Sequence, residues 1–228
     1  MNTVWSFGDS MTAEINGLPN DPSPYRQWLG RYAKDTATFV AEEFGFESKN
    51  LAMGGSSNTA IFHQFISQLK NIQSGDILIF GWTVVARYRM GVILNTENPH
   101  PAWKTIWSQG MKNIPEYACV DGSYITKEVA EQIILNRSEL QSLYEEEINE
   151  WIDFINDWGK LKGVKVIHWS WCNADMGGKQ NLNLSFDVVR YIDMSRETKN
   201  VVKDGHYGEV GYKQLADDVI KYIKNNYE

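Results

Sequence analysis

Four short apolar runs punctuate the chain, at Thr3 to Phe7, Ser48 to Ala52, Asp76 to Phe80 and Val164 to Trp169. Each is long enough for one buried strand and too short for a helix. Between them, apolar residues recur at helical spacing. Asn58 to Lys70 carries Ile61, Phe62, Phe65, Ile66 and Leu69 on one face, and Tyr25 to Phe44 has helix-compatible composition interrupted at Gly30 and Asp35. The clearest helix runs from about Ser138 to Leu161, with Leu140, Tyr144, Ile148, Trp151, Ile155 and Trp158 along a single stripe. Ser138 and Gln141 form a capping-box pattern at its start, and Gly163 marks its end. A last helix, Val210 to Tyr227, repeats the stripe with Tyr212, Leu215, Val219 and Ile223.

Strands that alternate with helices predict an α/β fold built on a parallel sheet. A fifth strand is expected near Asp187 to Ile192. The segment 84–136 breaks the alternation: it holds Pro99, Pro101 and Pro115 among Trp103, Trp107, Tyr117 and Tyr124, with weak periodicity. It reads as an insertion in a single domain spanning 1–228, either a lid over a site or an ordinary packed excursion.

Composition narrows the function classes. At 228 residues and 43% hydrophobic content the chain can bury one sizeable core. A net charge of −7 without a strongly basic run argues against a general nucleic-acid surface, which needs clustered Lys and Arg. No stretch approaches transmembrane length, and the chain opens on a strand rather than a secretory signal, so a cytoplasmic or phage-encoded protein is expected. Cys119 and Cys172 do not make a disulfide framework or a zinc pair, and neither His63 nor His100 has a ligand neighbour at suitable spacing. No metal and no cofactor are expected. The 13% aromatic content either fills a core or lines a sugar cleft, with core packing favoured for most of it.

The chemistry concentrates at the two ends. Val4 to Phe7 runs into Gly8-Asp9-Ser10-Met11-Thr12, so Ser10 would stand at the carboxyl edge of a parallel sheet, where open α/β folds bind ligands. A helix following Ser10 would offer unpaired N–H groups there. Near the other end, Asp204-Gly205-His206 lies in a loop just before the last helix. Serine is a weak nucleophile until a base accepts its proton, and the candidate base is His206 with Asp204 to orient it. Reaching a carboxylate two residues away is geometrically tight, and Gly205 between them permits unusual dihedrals. Alone, Asp204-Gly205 reads as a turn and His206 as a surface or capping residue.

Together these segments resemble the SGNH hydrolase family, also called GDSL-type esterases. Gly8 to Thr12 matches the first block in full. Asn50-Leu51-Ala52-Met53-Gly54-Gly55 matches the second, with Gly55 in the position whose backbone N–H faces an oxyanion. The third block normally carries an asparagine after its strand, and here Gly81-Trp82-Thr83-Val84 places Thr83 there. The last block normally reads Asp-x-x-His, whereas Lys203 occupies the aspartate position and Asp204 stands one residue nearer His206. The resemblance implies a flavodoxin-like, three-layer α/β/α sandwich with about five parallel strands. It also implies a serine esterase in which Ser10 attacks an acyl ester, often an acetyl group on a carbohydrate.

The third oxyanion donor is then to be sought among Thr83, the side chain of Asn58, and Arg87. Arg87 could instead bind a substrate carboxylate or sulfate, a solvated arginine being the commoner fate, and Asn58 reads equally as a site residue or as a cap for the next helix. Trp82 could stack on a sugar ring or lie buried, and Trp171, at a strand's carboxyl end, could wall the pocket. The expected partner is a small-molecule or glycan ester, without nucleic acid or membrane. The rival class is a non-catalytic glycan-binding or structural module that keeps the fold after losing the third block.

Overall fold

The structure, a computed structural model, describes residues 1–83, 87–93, 101–107, 137–171, 182–184 and 191–227; for 87–93, 101–107 and 137–141 the backbone alone is described. Along the chain come β1 (Thr3–Gly8), a small hairpin of β2 (Gly17–Leu18) and β3 (Asp21–Pro22), α1 (Pro24–Leu29), α2 (Thr36–Phe44), β4 (Glu47–Asn50) and α3 (Asn58–Gln68). There follow β5 (Ile77–Trp82), β6 (Arg87–Ile93), β7 (Pro101–Trp107), α4 (Arg137–Lys162), β8 (Lys165–Ser170), α5 (Met194–Glu197) and α6 (Glu209–Asn226).

The breaks in the hydrophobic pattern fall where the backbone turns. Gly30 ends α1 in a left-handed conformation that a side chain would disfavour, and the carboxylate of Asp35 caps α2 by accepting from the Thr38 N–H. Gly163, also left-handed, ends α4. That helix starts at Arg137, which puts Ser138 inside its first turn rather than at the expected cap.

The four strands β4, β1, β5 and β8 lie side by side in that order, all parallel. By sequence rank this is second, first, third, fourth, the flavodoxin-like winding, in which the chain reverses direction across the sheet between β1 and β5. Side chains alternate across the sheet, as strand geometry requires. Val4, Ile77, Ile79, Ile167 and Trp169 pack towards α2 and α6, while Trp5, Phe7, Leu78, Phe80 and Trp82 pack towards α3 and α4. Two apolar cores on opposite faces of one sheet make the three-layer α/β/α sandwich. Most described tryptophans of the strands are therefore core: Trp5, Trp82 and Trp169 are all buried.

β4 departs from expectation. Its Glu47, Ser48 and Lys49 are exposed, because the strand lies at the sheet edge with only β1 beside it among the described residues. A polar edge resists pairing with other chains. The expected fifth strand falls mostly outside the described residues, which resume at Tyr191. Within the insertion, β6 and β7 pair antiparallel from Arg87 with Trp107 to Ile93 with Pro101. The rest of 84–136, together with Cys119 and Cys172, lies outside the described residues. No helix among them is long and apolar enough to cross a membrane.

Candidate active site

β1 delivers Ser10 to the carboxyl edge of the sheet, at the point where the winding reverses. No helix follows directly, contrary to expectation. Instead the chain makes a tight turn in which Thr12 and Ala13 N–H both donate to the Asp9 carbonyl, and the next helix begins only at Pro24. Glycine is required on two strands for this turn to lie down. Gly8 and Gly81 are register partners, and a Cβ on either would stand within 2.4 Å of the Thr12 hydroxyl oxygen.

Side chains from three other segments then clamp the turn. The fully buried Asp9 carboxylate accepts from the Met11 N–H and from the Trp171 indole, each at 2.9 Å. Asn50 donates to the Thr12 carbonyl at 2.8 Å and to the Asp35 carboxylate at 2.7 Å. Gln64, from α3, accepts from the Gly8 N–H and donates to the Gly8 carbonyl, while also reaching the Ser56 hydroxyl. Backbone bonds from Leu51 to Ser6 and from Met53 to Gly8 carry the second block along β1, so that Gly54 arrives beside Ser10. Gly55 adopts φ 77°, a left-handed conformation suited to glycine.

The loop before α6 brings the candidate base. His206 Nε2 lies 2.9 Å from Ser10 Oγ, and its Nδ1 lies 2.5 Å from Asp204 Oδ1. The same carboxylate oxygen accepts the His206 backbone N–H at 2.9 Å. This is an Asx turn, in which an aspartate bonds the N–H two residues on, and it brings the imidazole within reach of the carboxylate despite the short spacing. Gly205 lies outside the left-handed region, and a Cβ there would meet open space, so the turn makes no demand for glycine. The loop is strapped from outside by the Met194 N–H to the His206 carbonyl and by Ser195 to the Asp204 carbonyl.

Partial burial pushes the Asp204 carboxyl up, but the hydrogen bonds from the His206 N–H and imidazole outweigh it and hold its pKa below the ordinary value. An ionised carboxylate only accepts, so in the neutral imidazole Nδ1 carries the proton and Nε2 is the nitrogen that can accept from the serine hydroxyl. A proton can pass from Ser10 to His206 without rearrangement.

The other expected residues divide. Trp171 is half-buried beside the turn through its bond to Asp9. Trp82 is fully buried, stacks on Phe80 and donates to His168 Nδ1 at 3.1 Å, so it faces the core and offers no surface for a sugar. Asn58 accepts from the Thr83 N–H at 2.8 Å and donates to the Thr83 carbonyl at 3.0 Å, which ties α3 to the end of β5 rather than aiming its amide at Ser10. Thr83 itself is buried. The side chain of Arg87 lies outside the described residues. His168 is completely buried, and burial lowers its pKa to about 3, leaving a neutral core imidazole.

Two contributors escaped the sequence reading. Gln64 was hidden among the polar positions of an amphipathic helix, and only its placement over Gly8 distinguishes it. Tyr25 was read as part of a helix, yet its hydroxyl donates to Glu197 at 2.5 Å and accepts from the Glu209 N–H at 2.7 Å, tying α1 to α5 and to the start of α6. Burial, then the Glu197 hydrogen bond, raise its pKa and keep it protonated. Between α1 and α5 a cavity of about 430 Å³ opens beside Ser10, Gly54 and His206. Among the described residues no group of His, Cys, Asp and Glu is arranged to hold a metal ion.

Among solved structures, the chain is similar to an active-site mutant of a family two carbohydrate esterase from Clostridium thermocellum, at TM-score 0.37 and 12% identity. The match covers 99% of this chain and 64% of that one, so the chain spans less than two thirds of that protein's length. It is also similar to a protein from Desulfitobacterium hafniense DCB-2 described as lipolytic and of the G-D-S-L family, at TM-score 0.34 and 12% identity, over 97% of this chain and 99% of that one. No family model and no curated protein matches the chain.

Proposed function

We propose that this protein is a serine esterase of the SGNH type. The observation that supports the reading is the unbroken hydrogen-bonded chain from Asp204 through His206 to Ser10, at 2.5 and 2.9 Å. Ser10 Oγ attacks the carbonyl carbon of a carboxylic ester while its proton moves to His206 Nε2. Negative charge then gathers on the carbonyl oxygen, and we assign its stabilisation to the backbone N–H groups of Ser10 and Gly55. Thr83 is fully buried, its hydroxyl included, so no third donor is assigned among the described residues; Asn58 holds Thr83 at the end of β5. Trp171 is assigned to the wall of the site.

Collapse of the tetrahedral intermediate breaks the bond to the alcohol oxygen, which leaves with the proton from Nε2. Ser10 keeps the acyl group. Water then attacks the acyl-enzyme, giving a proton to Nε2, and the acid departs as Ser10 regains that proton. Asp204 stabilises the imidazolium that forms in each half-reaction. An acetylated carbohydrate is the substrate class that the family resemblance suggests, though this chemistry suits any carboxylic ester.

The test uses a chromogenic acetate ester and a fluorophosphonate probe on the purified protein and on Ser10→Ala. The native chain is expected to label and turn over, and the variant to lose labelling with at least about ten-thousandfold of the rate. Equal rates with no labelling of either would overturn the assignment. A second reading, a non-catalytic glycan-binding module, is favoured by Thr83 at the position of the third-block asparagine. Glycan binding without turnover would select it.

A further inference from the structure

We infer that the cavity beside Ser10 and His206 selects esters with an apolar arm of several carbons, an alkyl chain or an aryl group, over acetyl esters of sugars. The inference rests on the serine-esterase reading for its chemistry and on the cavity walls for its selectivity.

One wall is built by Ile15, Pro24 and the ring of Tyr25, the other by Met194, Val201 and Val202. Polar atoms in these walls are already engaged with the protein. The Tyr25 hydroxyl is bound between Glu197 and the Glu209 N–H, so its ring presents carbon to the cavity. The Ser23 hydroxyl donates to the Ile15 carbonyl at 2.5 Å and caps α1 through the Arg26 N–H. Glu14 and Lys203, both exposed, supply charges at the cavity's edge, and the Asp204 carboxylate lies beside His206. A sugar held deep between these walls would surrender water for few new hydrogen bonds, which is unfavourable. An alkyl or aryl arm loses nothing and gains burial.

Size points the same way. At about 430 Å³ the cavity falls in the range of small-molecule sites, and a two-carbon acetyl group would leave most of it unfilled. The rim carries the apolar wall outward. Lys199 and Asn200 both adopt positive φ, at 52° and 65°, in the left-handed turn that closes α5. The consequence of this double turn is that Val201 is carried to the cavity's edge with 69% of its surface exposed, while Val202 turns inward and is buried. Bonds from the Asn200 N–H to the Ser195 carbonyl and from the Val202 N–H to the Thr198 hydroxyl hold it so.

The arm could belong to the acid or to the alcohol, and two substrate series separate them. One varies the acyl chain from two to eight carbons on a fixed nitrophenol; the other varies the alcohol of an acetate ester from methyl to octyl. In one series kcat/KM is expected to rise about threefold per methylene until the cavity fills, more than tenfold in all. In Val201→Asp, a rim substitution that spares the core, the ratio of six-carbon to two-carbon kcat/KM should fall at least fivefold. Flat or falling profiles in both series, with fluorophosphonate labelling intact, would overturn the apolar assignment and leave the esterase standing.

A measurement without turnover keeps the two readings apart. In Ser10→Ala, methyl NMR resonances of Ile15, Met194 and Val202 should shift with hexyl acetate and stay still with an acetylated methyl glucoside. The reverse pattern, or no shift with either, would overturn the inference. Shifts with hexyl acetate in a protein that neither labels nor hydrolyses would reject the esterase while keeping an apolar ligand site.

Discussion

The two halves of the proposed catalytic constellation are held by different means. The turn bearing Ser10 is mostly buried and gripped largely from outside itself: Asn50 and Gln64 bond its backbone, Trp171 bonds its Asp9 carboxylate, and Gly8 and Gly81 let it lie on the sheet. The Asp204–His206 loop is about 40% exposed at both side chains, and much of its geometry comes from within, through one Asx turn. A nucleophile must be fixed against the oxyanion donors to small fractions of an ångström, whereas a base needs only to reach it. The sheet supplies the first kind of precision. Adjacency in sequence supplies the Asp204–His206 contact, and the straps from Met194 and Ser195 hold that loop against Ser10.

The comparison can be broken from either side. Asp204→Asn keeps a carbonyl that can accept both His206 bonds but removes the charge, so kcat/KM should fall about a thousandfold while substrate binding stays intact. An unchanged rate would reduce Asp204 to a turn residue. Gln64→Ala never touches substrate, yet it frees the Gly8 backbone beneath Ser10. It should cost about a hundredfold in kcat with KM little changed, and Gln64→Glu should rescue part of that through the accepting oxygen. If thermal stability falls and kcat does not, Gln64 braces the fold alone.

A pH experiment separates the buried region from the exposed one. His168 stays neutral in the fold down to about pH 3, whereas an unfolded histidine binds a proton near pH 6.5. Its contribution is therefore complete above pH 6.5 and is lost as pH falls from there towards 3, by about 1.4 kcal/mol per unit. His168→Gln should flatten that part of the stability curve, read by urea unfolding at several pH values. Asp204 works at lower pH. Its depressed pKa gives a contribution present above the ordinary carboxylate value and lost as pH falls through the folded one. The smallest effect is expected at Gly205. With its φ outside the left-handed region and open space around it, Gly205→Ala should change stability by no more than about 0.5 kcal/mol.

Periodicity was a good guide to where the strands lie, though not to the exposure of β4. The strand runs lie within one or two residues of their expected places, and Gly30 and Asp35 separate two helices because each has a local job, a left-handed C-cap and an N-cap. The approach of His206 to Ser10 was expected as well, since both carry chemistry that few residue types can supply. Trp82, Asn58 and Gln64 were opaque for a common reason. A tryptophan, an asparagine or a glutamine looks the same in sequence whether it faces a cleft, a core or a neighbouring backbone.

What the sequence determined by itself is the alternation of strands and helices and the two short segments bearing serine, histidine and aspartate, because these depend on local patterning and on intrinsic side-chain chemistry. Only the tertiary structure decided that Gln64 grips Gly8, that Asn58 closes on Thr83, and that Ile15, Met194 and Val202 meet around one cavity beside Ser10. Those outcomes depend on which residues far apart in the chain become neighbours, and a hydrogen-bonding group shows its purpose only once its partner is in place.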